Sequence, residues 1–587
     1  MDSNHKIFRR QPYLWFAICV ATLVSLGNLL WIKLDTRPQP VIDEYVHKTF
    51  VLADDLANRK VLSIPLSIYR ATIGPRPPGY QVLAAPFVIF IDRSPDAMLI
   101  VNAIFLVLLA FATFKIGELV QDSRVGFLSA TIVVTFPLII NLAKITRPHA
   151  ILPATISLFI WALFAFARKP TTSGMWWLIG ALLLVFSIHP AGLHLAIGPM
   201  ATVLIYVLLP RKHEGTPQCQ TTFHYWLRSS LRKPFVIYGM LPGLGLFMLI
   251  VAAWLTLKWD QYLGMAEVIR QHTPLQKDYF YYLRTLHLAT SSWLASIFFL
   301  SFSLVIAQEV IARRKAVSRL APILIIVLMF LGIISASVAQ VWDNFGGALP
   351  IVAVISAMGI SCFINMVSEN AKRGLFKTTA PKIVLALLFS AIATNYSVVN
   401  WGIPANGTFL KLIGANQDCY ERRFLFFCTD PPKDGDWQIT SIVTSIRENG
   451  NCLETSCKVT LVSHRQQYFS DEAFNYMVTQ LFPGTKIEVD RLSCDQKKRH
   501  EWLRADFVVY LIGPESSVVS PYAEHLDERY IVEFLQGKPA IQNDFIVRYS
   551  GKLPNGEVAI LMQRRGVLSL DRIREILLTT GTDNGNC

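Results

Sequence analysis

Three short polar stretches in an otherwise apolar chain carry residue types able to do chemistry. The first is RPQPVIDEYVHKTFVLADDLANRK, residues 37–60, where Asp43 and Glu44 stand side by side and His47, Asp54 and Asp55 follow. On a helix, positions 43 and 47 share a face, and position 54 returns to it about three turns later. The second is GPRPPGYQVLAAPF, residues 74–87, in which Arg76 precedes a proline pair and an apolar run. The third is LAKITRPHAILP, residues 142–153, with Lys144, Arg147 and His149. Each has an ordinary explanation, because surface carboxylates are solvated and basic side chains snorkel at helix ends. Together they are more specific. A carboxylate pair can take a proton, and cations beside it can hold a phosphate, so the set suggests proton abstraction near a phosphate leaving group.

The elements that must position these residues are membrane spans. Of the 587 residues, 52% are hydrophobic and only 16% charged, and the mean hydropathy is +0.40; soluble proteins carry about a quarter of their residues as charges. Apolar runs of roughly 18–25 residues recur through the first 400 residues. In a bilayer core such runs satisfy their backbone only as helices. The fold class is therefore a polytopic α-helical membrane protein. Spans are expected near 13–32, 97–117, 124–142, 150–167, 174–188, 190–209, 234–256, 289–311, 320–341, 347–367 and 381–399. Residues 13–32 lack a cleavage pattern and read as a retained first helix. The apolar segment 80–93 is short, and reads as a half-helix or as a further crossing.

The formal net charge of +14 is distributed with a pattern. Arg9 and Arg10 precede the first span and Arg168 and Lys169 follow another. Arg211, Lys212, Arg228, Arg232 and Lys233 share one loop, Arg313, Arg314, Lys315 and Arg319 the next, and Lys372, Arg373 and Lys377 a third. Basic residues confined to alternate short loops are the positive-inside pattern, not a nucleic-acid surface. An odd number of spans, from eleven to thirteen, keeps all these loops in the cytoplasm. Residues 33–79 and everything after 400 then lie outside. Arg76 and Arg147 are thus cations on the disfavoured side, where an anionic lipid phosphate would partner them.

Residues 401–587 read as a second, soluble α/β domain beside the membrane domain of 1–400. Strand-like runs at 458–464, 485–492, 505–513 and 557–565 alternate with helical patterns such as 471–482. It holds six of the nine cysteines, which suits disulfides in an oxidising compartment. The close pairs Cys419/Cys428 and Cys452/Cys457 are natural bridges, with a zinc site using His464 or His500 as the alternative. The second outer loop, 259–287, is rich in aromatics and carries Glu267, Arg270, His272 and Lys277. Its tyrosines form an interfacial belt, or one of Tyr279, Tyr281 and Tyr282 lines a sugar or lipid site.

A first outer loop opening with Asp-Glu after the first span, an amphipathic helix, and then a basic residue before Pro-Pro resembles the GT-C glycosyltransferases. More narrowly, the chain resembles the dolichyl-phosphate-mannose–protein mannosyltransferase superfamily and its bacterial relatives, the lipid A aminoarabinose transferases. The likeness covers about residues 10–400 in architecture and mainly 37–170 in local sequence. It implies that Asp43 is the base that deprotonates an acceptor hydroxyl. It implies that Glu44 orients the acceptor or helps bind a divalent metal, and that Arg76 contacts the lipid-linked phosphate. Arg147-Pro148-His149 stands where many relatives carry Arg-Pro-Asp, so His149 departs from the pattern and puts metal dependence in question. A second departure is VWDNFGGALPIVAVI, 341–355, where relatives carry a basic residue and a tyrosine and only Pro350 is retained.

The expected activity is inverting transfer of a sugar from a polyprenyl-phosphate-linked donor to an acceptor hydroxyl at the outer face. Arg76, Arg147 and Lys144 are the phosphate-binding candidates; His149, His47 and Tyr282 are possible substrate-binding residues. No cofactor is required, with a divalent metal ion as an option. The acceptor is a glycolipid, a polysaccharide or a protein, the prenyl chain lies among the spans and membrane lipids, and no nucleic acid takes part. The expected location is a bacterial inner membrane with the C-terminal domain in the periplasm. The rival is a transporter or flippase, which would need ionisable groups near the midplane of the spans. Asn406-Gly407-Thr408 is a glycosylation sequon, a tripeptide that also arises by chance.

Overall fold

A computed structural model describes residues 12–36, 44–58, 64–190, 192–208, 236–264, 281–284, 286–311, 327–329, 345–370, 375–403, 435–450, 456–462, 469–482, 484–492, 501–513, 544–554 and 556–580, with single residues at 234, 325, 432, 452, 532 and 535. They form two compact units. One is drawn from Met1–Leu30, Lys48–Cys419 and Phe424–Pro431, the other from Trp31–His47, Tyr420–Arg423 and Pro432–Cys587. Asp43, Cys419 and Cys428 lie outside the described residues, as do the side chain of Glu44, most of the 259–287 loop and most of the 320–341 run.

The first unit is helical. Its elements are α1 (Pro12–Leu34), α2 (Glu44–Ala57), α3 (Ile64–Arg70), α4 (Gly79–Phe90), α5 (Pro95–Val120), α6 (Ser123–Val134), α7 (Pro137–Leu142) and α8 (Leu152–Arg168). Then come α9 (Thr172–Ile188), α10 (Gly192–Leu208), α11 (Leu241–Leu257), α12 (Ser292–Ile311), α13 (Leu349–Asn370) and α14 (Leu375–Trp401). Among the described residues, five helices are long and apolar enough to cross a membrane: Pro12–Leu34, Pro95–Val120, Val236–Leu257, Gly346–Val367 and Lys382–Trp401. Shorter apolar helices stand beside them, including Leu152–Arg168 and Thr172–Ile188. The chain is a polytopic helical membrane protein with a small sheet-bearing unit.

Local chemistry sets the helix ends. Ser94 caps α5 by accepting from Ala97 N–H, with Pro95 at the first helical position. Asp122 caps α6 by accepting from Arg124 and Val125 N–H at 2.9 Å each. The run 124–142, expected as one span, is broken into α6 and α7. Pro137 cannot donate to the preceding turn, so the helix restarts there with Pro137 in its first turn. The short segment after Arg76 is the 12-residue α4 with Pro86 inside it, about 18 Å long and short of the ~30 Å hydrocarbon thickness.

Helices α5, α6 and α13 make the interior. Of the span Gly346–Val367, 89% is buried, against 22% for Val236–Leu257, so the former is a central helix and the latter presents most of its surface outward. The α5–α6 crossing is close because both helices offer glycine: a Cβ on Gly117 would lie 2.7 Å from Gly126 Cα. Helix α14 is joined to α1 and α12 by carboxamides. Asn400 donates to Asn28 at 3.1 Å, and Asn395 donates to Ser291 Oγ and accepts from Trp293 Nε1, both at 2.9 Å.

The second unit holds a five-stranded sheet of β1 (Cys457–Leu461), β2 (Ile487–Arg491), β3 (Phe507–Ile512), β4 (Phe545–Lys552) and β5 (Val558–Arg564), in the order β2-β1-β3-β5-β4. β1 lies parallel to both β2 and β3, while β5 runs antiparallel to β3 and β4. Val459 faces Val489 on one side and Phe507 on the other, inside the sheet. Four of the strands coincide with the runs expected from sequence. β4 was missed because, at the edge, only its first residue is buried and half its side chains are polar. Helices α15 (Ile439–Asn449), α16 (Asp471–Leu481) and α17 (Leu570–Thr580) belong to the same unit. Cys452 and Cys457 are joined in a disulfide. Thr36, just after α1, exchanges hydrogen bonds with Gly435: its hydroxyl accepts from Gly435 N–H at 2.9 Å and donates to Gly435 O at 3.0 Å.

Candidate functional site

In the first unit, the connections at the ends of α3, α7 and α9 meet and bring basic residues from three parts of the chain together. Arg76 lies in the turn between α3 and α4. That turn is short and strained toward glycine, with Gly74 at φ +54° and Arg76 N–H closing on Ile73 O at 3.0 Å. Helix α11 clamps it: Trp254 Nε1 donates to Pro75 O at 2.9 Å, and Lys258 Nζ donates to Thr72 Oγ1 at 2.7 Å. The Lys258 ammonium, 4% exposed, also sits 4.2 Å from the centre of the Tyr69 ring. Gln81 donates to Ala71 O at 3.0 Å and holds the turn from the other side.

Arg147 and His149 lie in the connection between α7 and α8. Arg147 is extended and caps the single 3-10 turn Pro148–Ala150, which contains His149. The backbone leading to it is pinned from α5, where the buried Asn102 carboxamide donates to Ala143 O at 3.2 Å and Ile145 O at 2.8 Å. Lys144 lies in the same connection and is buried.

His189 ends α9 in extended conformation. Its ring meets that of His149 with centroids 4.6 Å apart, tilted by 45°. The start of α4 is pressed against the end of α9, so that a side-chain carbon on Gly79 would run into the Ser187 carbonyl. That close approach places the Arg76 turn beside His189. Burial holds both imidazoles well below the ordinary histidine value of 6.5. Arg76 and Arg147 push His149 further down, and His149 and Arg76 do the same to His189. Both rings are therefore neutral at neutral pH. The arrangement is a half-buried pair of guanidinium groups, Arg76 and Arg147, backed by two neutral imidazoles, a donor-rich cluster suited to an anion.

The other sequence candidates fall elsewhere. His47 is exposed on α2. Asp54 pairs with Arg93 at 2.8 Å on the surface, and Asp55 accepts from Ser67 Oγ, so both tie α2 to its neighbours. The Tyr282 ring, 1% exposed, stacks on Phe345 with centroids 5.2 Å apart, within the apolar interior. Sequence reasoning singled out neither His189, Asn102, Trp254 nor Lys258 as part of the site. Lys258 carried a usable signal: it ends an apolar run on the outer side of the expected topology, as Arg76 and Arg147 do. Asn102 and Trp254 carried none.

Among the described residues, no three His, Cys, Asp or Glu side chains gather as metal ligands. The paired imidazoles also stand in the field of Arg76 and Arg147, which repels a cation. These groups do not fit a divalent metal ion.

The fold is like that of the GT-C membrane glycosyltransferases. The archaeal oligosaccharyltransferase AglB from Archaeoglobus fulgidus, solved with an inhibitory peptide and a dolichol-phosphate, is similar over 96% of this chain and 75% of its own, with 11% identity and a TM-score of 0.50. The apo form of the Archaeoglobus fulgidus oligosaccharyltransferase gives the same coverage, 12% identity and a TM-score of 0.51. ArnT from Cupriavidus metallidurans in the apo state aligns over 94% of this chain and 97% of its own at 11% identity, with a TM-score of 0.49. No family model and no curated protein matches the chain.

Proposed function

We propose that this chain is an inverting glycosyltransferase that moves a sugar from a polyprenyl-phosphate-linked donor to an acceptor hydroxyl. The observation that carries this reading is the convergence of Arg76, Arg147, His149 and His189 from three separate connections, at helix ends, in a GT-C-like membrane fold. The AglB neighbour was solved with a dolichol-phosphate, a lipid of the class proposed here. Asp43 takes the proton of the acceptor hydroxyl as its oxygen attacks the anomeric carbon. The bond from that carbon to the phosphate oxygen breaks, and the electron pair leaves with the polyprenyl phosphate. Arg76 and Arg147 stabilise the charge that develops on the leaving phosphate, with Lys144 adding to the positive field. Glu44 orients the acceptor. A single displacement inverts the anomeric carbon.

The positive-inside pattern of the basic loops supports a non-cytoplasmic location for the second unit and the Asp43 loop, which in a bacterium is the periplasmic face of the inner membrane. The glycolipids and glycoproteins of cells expressing wild-type protein or Asp43→Asn are compared by mass spectrometry. Loss of one sugar from one glycan, with accumulation of its polyprenyl-phosphate donor, is expected, and turnover should fall by about 10²–10⁴. Unchanged glycans in cells that express the variant to wild-type level would sink the assignment.

A further inference from the structure

His149 and His189 come from different connections, yet their rings meet 4.6 Å apart, and they are only 6% and 8% exposed. The groups acting on them are cations: Arg76 acts on both and Arg147 on His149. The elements packed against this end of α9 bring further titratable groups, namely Tyr80 on α4, Lys144 before α8, His194 on α10 and Lys258 after α11. A neutral imidazole has one donor and one acceptor nitrogen, so only one of its two nitrogens suits a phosphate oxygen. A phosphate seated against Arg76 cancels part of the guanidinium field and rewards conversion of the ring to a double donor.

We infer that His189 is a phosphate-contacting group beside Arg76, and that the His149–His189 pair takes up one proton from solvent when a phosphate monoester binds. The inference rests on the lipid-phosphate reading proposed above. The number is one and not two because rings this close would place two imidazolium charges in contact. The charge bookkeeping also fits the proposed reaction. A sugar-linked polyprenyl phosphate is a diester with one negative charge, whereas the released monoester carries about −1.5 to −2. The pair meets that extra charge at the moment it appears.

The test is calorimetric titration of the full chain in lipid nanodiscs with a polyprenyl monophosphate, at neutral pH, in buffers of different ionisation enthalpy. Uptake approaching one proton is expected. Affinity should fall about tenfold per pH unit as pH rises, over the range in which the bound pair stays protonated. His189→Gln and His149→Gln should each abolish the uptake while the thermal midpoint shows the protein folded. The phosphate monoester titrates near pH 6 itself, but its contribution is the same in wild type and variants. If a variant does not fold, the wild-type titration repeated at about pH 8, where the phosphate monoester is already a dianion, decides the question. Binding without uptake overturns the inference and leaves the transferase reading standing. No binding of the polyprenyl monophosphate or of inorganic phosphate overturns both. Inorganic phosphate bound with the same uptake, where the lipid does not bind, makes free phosphate the ligand: the inference then holds and the transferase reading fails.

Discussion

Lys258 is expected to act as the clamp of the Arg76 turn, and replacing it by methionine isolates that role. Methionine keeps the length and apolar stem of lysine and removes only the ammonium. Two interactions vanish: the 2.7 Å hydrogen bond to Thr72 Oγ1 and the contact with the Tyr69 ring at 4.2 Å. A hydrogen bond from a charged donor contributes about 1.5–3 kcal/mol, which corresponds to a roughly 10- to 150-fold change in a local opening equilibrium. Removing a buried charge also relieves its desolvation cost, so global stability should change little. The loss should appear instead in the turn. Hydrogen exchange of the amides of Ala71, Thr72 and Arg76 should accelerate by that factor, and affinity for a polyprenyl monophosphate should drop with it. Thr72→Val removes the other partner, and the double variant closes a cycle whose coupling should be about 1.5–3 kcal/mol. Exchange in Lys258→Met within about threefold of wild type would refute the clamp, because a turn that loses its anchor must open more often.

Four further outcomes are expected. Asn102→Leu removes two hydrogen bonds to the backbone that carries Lys144 and Arg147. It should cost about 2–4 kcal/mol in thermal or denaturant unfolding and loosen residues 143–147 in hydrogen exchange. Gly79→Ala forces the start of α4 away from the Ser187 carbonyl and should weaken lipid-phosphate binding. Gly180→Ala, in α9 with open space at its Cα, should be neutral or stabilise by about 0.5–1 kcal/mol. The pH dependence follows from His149 and His189, whose folded values lie below their ordinary 6.5. As pH falls through 6.5 the unfolded chain takes up protons first, so the stability the pair contributes is fully present above 6.5 and lost below it. The slope is at most about 2.7 kcal/mol per pH unit for two groups. Thermal midpoints measured between neutral and acidic pH should fall less steeply in His149→Gln and His189→Gln than in wild type.

The membrane-spanning architecture could be read from the chain alone because the bilayer leaves little choice. Long apolar runs must become helices there, whatever their neighbours, and α5, α11 and α13 lie where such runs occur. Strand β3 was legible for a similar reason, since burial on both faces makes it a short continuous apolar run. Edge strand β4 was not, because half its side chains face solvent and period-two patterning fades. The break between α6 and α7 was written in Pro137 but outweighed by unbroken hydropathy.

Residue type singled out Arg76 and Arg147, because cations on the expected outer side of a membrane call for a partner, and His149 by its place beside Arg147. It did not say that they meet. That depended on contacts between residues far apart in sequence: Asn102 with the carbonyls after α7, Trp254 with Pro75, Gly79 with Ser187. A hydrogen bond spanning 179 positions, as between Trp254 and Pro75, leaves no periodicity to detect. The sequence by itself determined the solvent in which this protein folds and the residue types that could hold a phosphate. Only the tertiary structure decided which basic groups share one cluster, because burial and close approach, not spacing, make two distant histidines face each other.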